Sequence, residues 1–551
     1  MKRYIKSLMT VGVFSLALVN TSCIEDMENT NYATVEEIGA SAKATDGLLM
    51  AMPQYLNDES SDSHFMFGYG CMMHMRDVLT DDQVVTQSGY DWFSPWAEGV
   101  SLSKNLARAS YVYRYYYKQV QTANNIIGAI DPETASENAL GNLGVGYAYR
   151  AMTYLDIARQ FEYLPAEGTT ATNADGNNVL NLTAPIVTEK TTEEESRNNP
   201  RATRQQMYEF ILSDLDKAEE YIVYFNTDLN SFASLNTLPH LDCVYGLKAR
   251  LYMWMEDYAN AKEYARKAID TAAKLKSNKL GGANIVPMTK TQCLDTKVGF
   301  NDGTKWMWCS SQTSEDNTVK SGIINWTSWV SNETDFGYAS AGPYVMIAKS
   351  LFDKIANSDF RKLMFKAPKT SPLFGQNTYC DEKIGESLPD YASLKFRPNE
   401  GNVSDYKTGA ASSYPLMRVE EMYLIEAEAA AQLNPGEGVS LLNSFMKTYR
   451  DGSYNCTASS KDDVIEEIIL QKRIELWGEG QYFFDLKRLN RPVTRVYKGT
   501  NISDDLARIN TTSRPAWVNF VLSQAEEDNN TGIVGYNNPD PSGVYTPIPK
   551  E

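Results

Sequence analysis

The 551-residue sequence has only three histidines, His64, His74 and His240, and no cysteine pair at CxxC spacing. Histidine is the commonest metal ligand and general base, and CxxC pairs make the usual zinc clamps, so both shortages argue against zinc and histidine-centred chemistry. Cys71 and His74 stand close in sequence, yet no second histidine follows at helical spacing, and the pair reads as core. No dense Asp/Asn loop marks a calcium site, and no motif asks for a cofactor. Long apolar runs are missing as well. The apolar stretch Ser7 to Val19 falls short of the about 20 residues that cross a bilayer. Positive charge is in deficit, 52 Lys and Arg against 70 Asp and Glu, for a net charge of −18. A surface that acidic repels phosphate backbones, which argues against a nucleic-acid partner.

What is present begins at the N-terminus. Lys2, Arg3 and Lys6 precede the apolar stretch, and Thr21-Ser22 stand directly before Cys23. That order predicts a cleaved signal over 1–22 and acylation of Cys23, with 23–40 as an acidic, aperiodic tether. Asn20 stands where a bulky aliphatic is usual, and an ordinary secretory signal is the alternative. Acyl chains at about 0.8 kcal/mol per buried methylene hold a protein on a membrane without a spanning helix. The other six cysteines, at 71, 243, 293, 309, 380 and 456, are left open between free thiols and disulfides.

From about residue 41 a single domain to 551 is expected, mainly α. Helical periodicity covers Leu106–Ile130, Asn142–Phe161, Gln205–Tyr224 and Cys243–Met255, then returns over Met417–Leu433, Gly438–Tyr449 and Lys461–Trp477. In "EDYANAKEYARKAID" the alanines Ala261, Ala265 and Ala268 recur behind Tyr258, a spacing that lets helices approach closely, as in tetratricopeptide hairpins. The expected architecture is a curved scaffold of tetratricopeptide-like helical-hairpin repeats, at about 100–275 and 414–490. Between them, at about 277–413, lies a loop-rich insertion with short strands. Inside it Pro343–Ile355 reads as helix and "KWMWCS" as a buried strand. Trp254 and Trp477 fall on helical patterns and read as core.

"YPLMRVEEMYLIEAEAAAQLN" (414–434) and "IILQKRIELWGEGQYFFDLKRLN" (468–490) resemble the SusD/RagB family, outer-membrane glycan-binding lipoproteins of Bacteroidetes. The family pattern is matched at Pro415, Arg418, Glu421, Leu424, Ile425, Ala427, Glu428 and Ala429. It is matched again at Arg473, Glu475, Leu476, Glu479, Gly480, Asp485, Leu486 and Arg488. It is departed from at Glu420, Lys472, Gly478 and Tyr482. Glu25, Asp26 and Glu28 after Cys23 resemble the surface-export signal of such lipoproteins. The resemblance implies a non-catalytic binding protein on the cell exterior. It would be lipid-anchored in the outer membrane and deliver oligosaccharide to a TonB-dependent, SusC-like transporter. Peptide or glycopeptide cargo is one alternative, and an all-α glycoside hydrolase or lyase another. A catalytic role would fall to Glu475, Glu479 and Asp485, but Arg473, Glu475, Glu479 and Arg488 sit beside bulky apolar residues and read as helix-packing ion pairs; a glycosidase needs two carboxylates about 5–9 Å apart across a cleft.

A neutral sugar is gripped by flat rings against its C–H faces and by polar side chains at its hydroxyls. The chain has 34 tyrosines and nine tryptophans, and two aperiodic clusters concentrate them. "SGYDWFSPWAEG" carries Trp92 and Trp96; "INWTSWVSNETDFGYASAG" carries Trp326, Trp329, Phe336 and Tyr338. In the resembled family, stacking rings come from an early loop and the central irregular region, and these clusters fall there by order. The six rings are expected to form one shallow platform, with Asp91 and Asn332 as hydroxyl partners. For each ring a loop-anchoring core role is the competing expectation.

Overall fold

The computed structural model describes residues 41–86, 92–97, 102–274, 276–277, 283–502 and 508–549. The signal and tether expected over 1–40, Cys23 included, lie outside them, as does Asp91. The fold is mainly α. Helices α1 (Ala42–Tyr55), α2 (Tyr69–Val78), α3 (Ala107–Ala129), α4 (Glu137–Phe161), α5 (Arg204–Tyr221), α6 (Leu241–Met255) and α7 (Tyr258–Ala272) come first. After the irregular middle come α8 (Val419–Leu433), α9 (Pro435–Tyr449), α10 (Lys461–Glu475) and α11 (Tyr482–Arg488). From α3 to α7 each helix packs on the next; α7 then packs on α8, and α8 on α9 and α10. The result is a tetratricopeptide-like stack of helical hairpins.

Local chemistry sets the hairpins. Side-chain oxygens of Ser136, Thr203, Asp257 and Ser460 accept from first-turn backbone N–H groups and start α4, α5, α7 and α10. Glu256, at φ 61°, turns the chain between α6 and α7. The buried alanines Ala261, Ala265, Ala268 and Ala272 of α7 are the small faces that let α6 and α8 close in. In the next hairpin Asn434 alone separates α8 from α9, and Pro435 opens α9 where its missing N–H costs nothing. A Cβ on Gly438 would stand 2.4 Å from that of Ala431, so only glycine fits this approach.

The middle of the chain is loop-rich, stitched to the scaffold by short strands. β1 (Gln83–Val85) pairs antiparallel with β3 (Val345–Ile347), and β2 (Trp308–Ser311) with β4 (Ser413–Met417), which runs straight into α8. The helix expected over Pro343–Ile355 is therefore corrected. Val345–Ile347 is strand, its backbone groups claimed by β1, and only Lys349–Phe352 is helical. Of "KWMWCS" only Trp308–Ser310 is strand, in β2; Lys305 ends a 3-10 turn, and Trp306 and Trp308 are fully buried. One contiguous apolar core runs through scaffold and insertion alike, and Trp254 and Trp477 belong to it.

The charged motif residues are its polar pins. Glu475 receives Arg418, Arg450 and Arg361, and Glu479 receives Lys395 and Arg418, all almost wholly buried. Against the upward push of burial, Arg450, Arg418 and Arg361 hold the Glu475 carboxyl well below the usual range. Arg473 ties α10 to Asp81 and Asp82, and Arg488 bonds Glu428 and Asp485. Breaking one such buried pair costs about 3–5 kcal/mol, because a charge is stranded. The six described cysteines are unpaired.

Candidate functional site

Pairing of β1 with β3 brings the two aromatic clusters together, since one follows β1 and the other precedes β3. Thr86 N donates to Tyr344 O at 3.0 Å and extends the ladder toward both loops. Beyond it the rings interlock. Phe93 stands 4.8 Å from Trp329 and 5.1 Å from Trp96, centroid to centroid. Trp329 stacks on Tyr338 at 3.6 Å and 14°, and its indole N–H donates to the His64 carbonyl at 3.1 Å. His64 lies between Trp92, 5.3 Å away, and the Tyr338 hydroxyl, which it hydrogen-bonds. Gly337, at φ 70°, makes the turn that sets Tyr338 on Trp329. A Cβ there would meet Ser328 Oγ at 2.4 Å. Below, burial lowers His74 to about 3, so its ring is neutral where it meets Phe93 at 4.2 Å.

Four of the six expected rings, Trp92, Trp96, Trp329 and Tyr338, thus meet in this junction, and most rings turn inward. Trp96 and Trp326 have no exposed surface, and Trp329 and Tyr338 keep 3% and 4%. Trp96 is enclosed by Phe65, Phe93 and the Arg108 guanidinium, Trp326 by Phe396 and Tyr414. These four rings anchor the loops and offer no free face to a sugar. Asn332 is corrected too: its amide donates to Val345 O and Ser393 O and accepts from Val345 N, which uses its polar atoms on backbone. Trp92 and Phe336 remain half-buried. Trp92 meets His64 and Phe65, whereas Phe336 lies against Gly409, with no ring contact to Trp92 among the described residues. Half-buried His64 and exposed Asp62 and Asp335 sit nearby in the chain. His64 is the member that sequence reasoning missed. Its one signal was the neighbouring aromatics of "HFMF".

An open groove of about 1120 Å³ along α3 is the larger concavity, lined by tyrosines and asparagines among others. Two of its polar groups are engaged by the scaffold: the Tyr117 hydroxyl and the Asn124 amide donate to Pro185 O and Val187 O. Among the described residues no cluster of histidine, cysteine and carboxylate groups is arranged to hold a metal, and no helix is long and apolar enough to cross a membrane.

Two family models match the chain. One, described as the SusD family, matches residues 300–551; the other, described as starch-binding associating with outer membrane, matches 44–253. The chain belongs to the SusD family. Its relatives include a SusD-like protein of Formosa agariphila, 22% identical over 383 residues, or 64% of this chain and 67% of that one. Among solved structures, a SusD-like carbohydrate binding protein from Bacteroides vulgatus superposes with a TM-score of 0.67 at 21% identity. That match covers 90% of this chain and 97% of the other. A SusD superfamily protein from Bacteroides thetaiotaomicron gives 0.65 at 18%, covering 91% and 100%. At such identities the likeness carries the SusD-family fold. It does not carry the residues of a site, and the aromatic junction of this family member rests on its own geometry.

Proposed function

We propose that this SusD-family protein captures oligosaccharides at the cell surface without cleaving them and hands them to a TonB-dependent, SusC-like outer-membrane transporter. The observation that carries the reading is the junction itself. Trp92, half-buried, packs on His64 and Phe65 beside the buried rings, which reduces the side-chain freedom it would lose on binding. Phe336 is a second half-buried ring, on the loop that precedes β3, and Asp91 stays a proposed hydroxyl partner next to Trp92 in sequence. The description of one family model as starch-binding, and the carbohydrate binding named for the B. vulgatus relative, support sugar as the cargo class. Acylated Cys23 would tether the protein to the outer membrane by lipid alone. A binding role without catalysis is supported by the fate of the motif carboxylates: Glu475, Glu479 and Asp485 are consumed in buried ion pairs.

Stacking one or two rings plus a few hydrogen bonds gives millimolar to micromolar affinity, about 4–8 kcal/mol, weak enough for the cargo to move on. The test is electrophoresis through gels containing starch or other neutral polysaccharides, beside an assay for newly released reducing ends. Retarded migration with no new reducing ends is expected for at least one polymer, and Phe336→Ala should weaken the retardation. Reducing ends released by pure protein would replace this reading with a hydrolase. Migration unaffected by every polysaccharide, but altered by peptides, would replace the cargo.

A further inference from the structure

The helical scaffold contains a second concavity that shares no residue with the aromatic junction: a cavity of about 380 Å³, within the size range of small-molecule pockets. It lies at the C-terminal ends of α4 and α6 and is closed by α8, α10, α11 and Arg514. Exposed Glu256 and Asn490 line it and connect it to solvent. Seven lysine and arginine side chains line it against four carboxylates.

Part of that charge is matched. Arg250 makes a two-pronged pair with Glu421, at 2.7 and 2.6 Å, and Lys472 sits 2.6 Å from Asp485. On the opposite side the matching fails. Arg204, Lys487 and Arg514 have one buried carboxylate among them, Glu162. Lys487 Nζ donates only to the carbonyls of Gln160 and Glu162, at 3.0 and 2.6 Å. Arg514 donates to backbone carbonyls, among them Pro165 O at 2.9 Å. Glu162 Oε1 and Arg204 Nε stand 3.5 Å apart, longer than a hydrogen bond, and neither atom has a hydrogen-bond partner. Carbonyls at a helix C-terminus amount to about half a negative charge, too little to neutralise this group. Burial, and then the nearby Arg514 and Arg201, keep the Lys487 amine well below the ordinary lysine range, and burial lowers Arg514 to about 10. The guanidinium of Arg159 lies flat on Phe484, 3.6 Å from its centroid, and that of Arg204 on Trp254 at 5.3 Å. Stacking leaves the N–H edges of a guanidinium in the plane, the geometry that suits carboxylate, sulfate and phosphate; Arg159 spends its edge on Asp156 and the Leu155 carbonyl, whereas Arg204, which donates one N–H to the Trp254 carbonyl, keeps Nε without a partner.

We propose that this cavity is a binding site for a small oxyanion, a carboxylate, sulfate or phosphate group on a compact molecule, held by Arg204, Lys487 and Arg514. Leu164, Pro165 and Ile425 supply an apolar wall for the uncharged part of the ligand. The site is separate from the proposed oligosaccharide capture and stands or falls independently of it.

Thermal melts and calorimetry with sodium glucuronate, sodium sulfate and inorganic phosphate test it. Glucose and sodium chloride of equal ionic strength are the controls. At least one anion should raise the melting temperature saturably, and glucose should not. Arg204, a quarter exposed and at the edge of the cluster, is the mildest site to change. Arg204→Gln should weaken that anion's binding at least about tenfold, since a charge-assisted contact is worth about 1.5–3 kcal/mol. Trp92→Ala should leave it unchanged. Should Arg204→Gln not fold, a crystal of the unaltered protein soaked in the binding anion decides the question by where density appears. The proposal is overturned if no anion acts beyond sodium chloride, if Trp92→Ala abolishes the response, or if the soaked anion lies outside the cavity.

Discussion

Asp242 is a carboxyl group in the first turn of α6, 2% exposed, with no ion pair among the described residues. Burial raises it from 3.8 to about 7, against the backbone N–H of Cys243. The folded chain therefore holds a proton up to about pH 7 that the unfolded chain releases near pH 4, and stability is lost as pH rises through that window. Asp242→Asn keeps the acceptor and removes the charge. Urea titrations should show the variant more stable than the parent at pH 8, by up to about 4 kcal/mol. The advantage should shrink as pH falls from 7 toward 4; an advantage independent of pH would refute the assignment. At this scale the sequence was half legible. Arg473, Glu475, Glu479 and Arg488 were readable as packing ion pairs from their apolar neighbours. Their partners were not, because Lys395, Arg361 and Asp82 reach them across 84 to 391 residues of chain. Nor could a tryptophan in an aperiodic loop reveal which way its ring would turn. Trp92 and Trp96 are four residues apart, one half-buried and one enclosed.

Elements were legible where one face differed from the other. The alanine stripe of α7 and the amphipathic pattern of α3 mark the observed helices to within a few residues. Helix α2 was missed because all ten of its residues are buried, including His74, Arg76 and Asp77, and a helix covered all round has no periodic face. Over Pro343–Ile355 a partner strand 260 residues away decided the outcome, and no local pattern carries that information. Close helix approach gives a sharper test. In α4 a Cβ on Gly144 would lie 2.6 Å from the backbone N of Ile222, which has no room to give. Gly144→Ala should lower the urea midpoint by the equivalent of about 1–3 kcal/mol. Gly47→Ala, on an exposed position of α1 with open space around it, should be neutral or stabilise by up to about 1 kcal/mol. Equal effects would mean that packing around α4 is looser than described.

At the scale of the molecule, the stacked helices give a stiff frame, and two short strand pairs fasten the irregular middle to it. Fold and family were legible because the C-terminal motif is long and its spacing specific. The proposed sugar-facing surface was not: loops far apart in sequence are brought together by β1 and β3, and the meeting buries most of the rings that mark them. The surface we propose for the ligand is a small one around half-buried Trp92, packed on His64 and Phe65. Its contribution is measured most directly by titrating a neutral oligosaccharide, chosen from the polymer that retards the protein, into parent and Trp92→Ala proteins by calorimetry. We expect saturable binding by the parent and recovery of the sugar intact. Affinity should fall at least about tenfold in the variant, the 1.4 kcal/mol or more that one stacked ring supplies, with an unchanged melting temperature. Unaltered affinity in a folded Trp92→Ala protein, or a shortened sugar in the cell, would contradict the account.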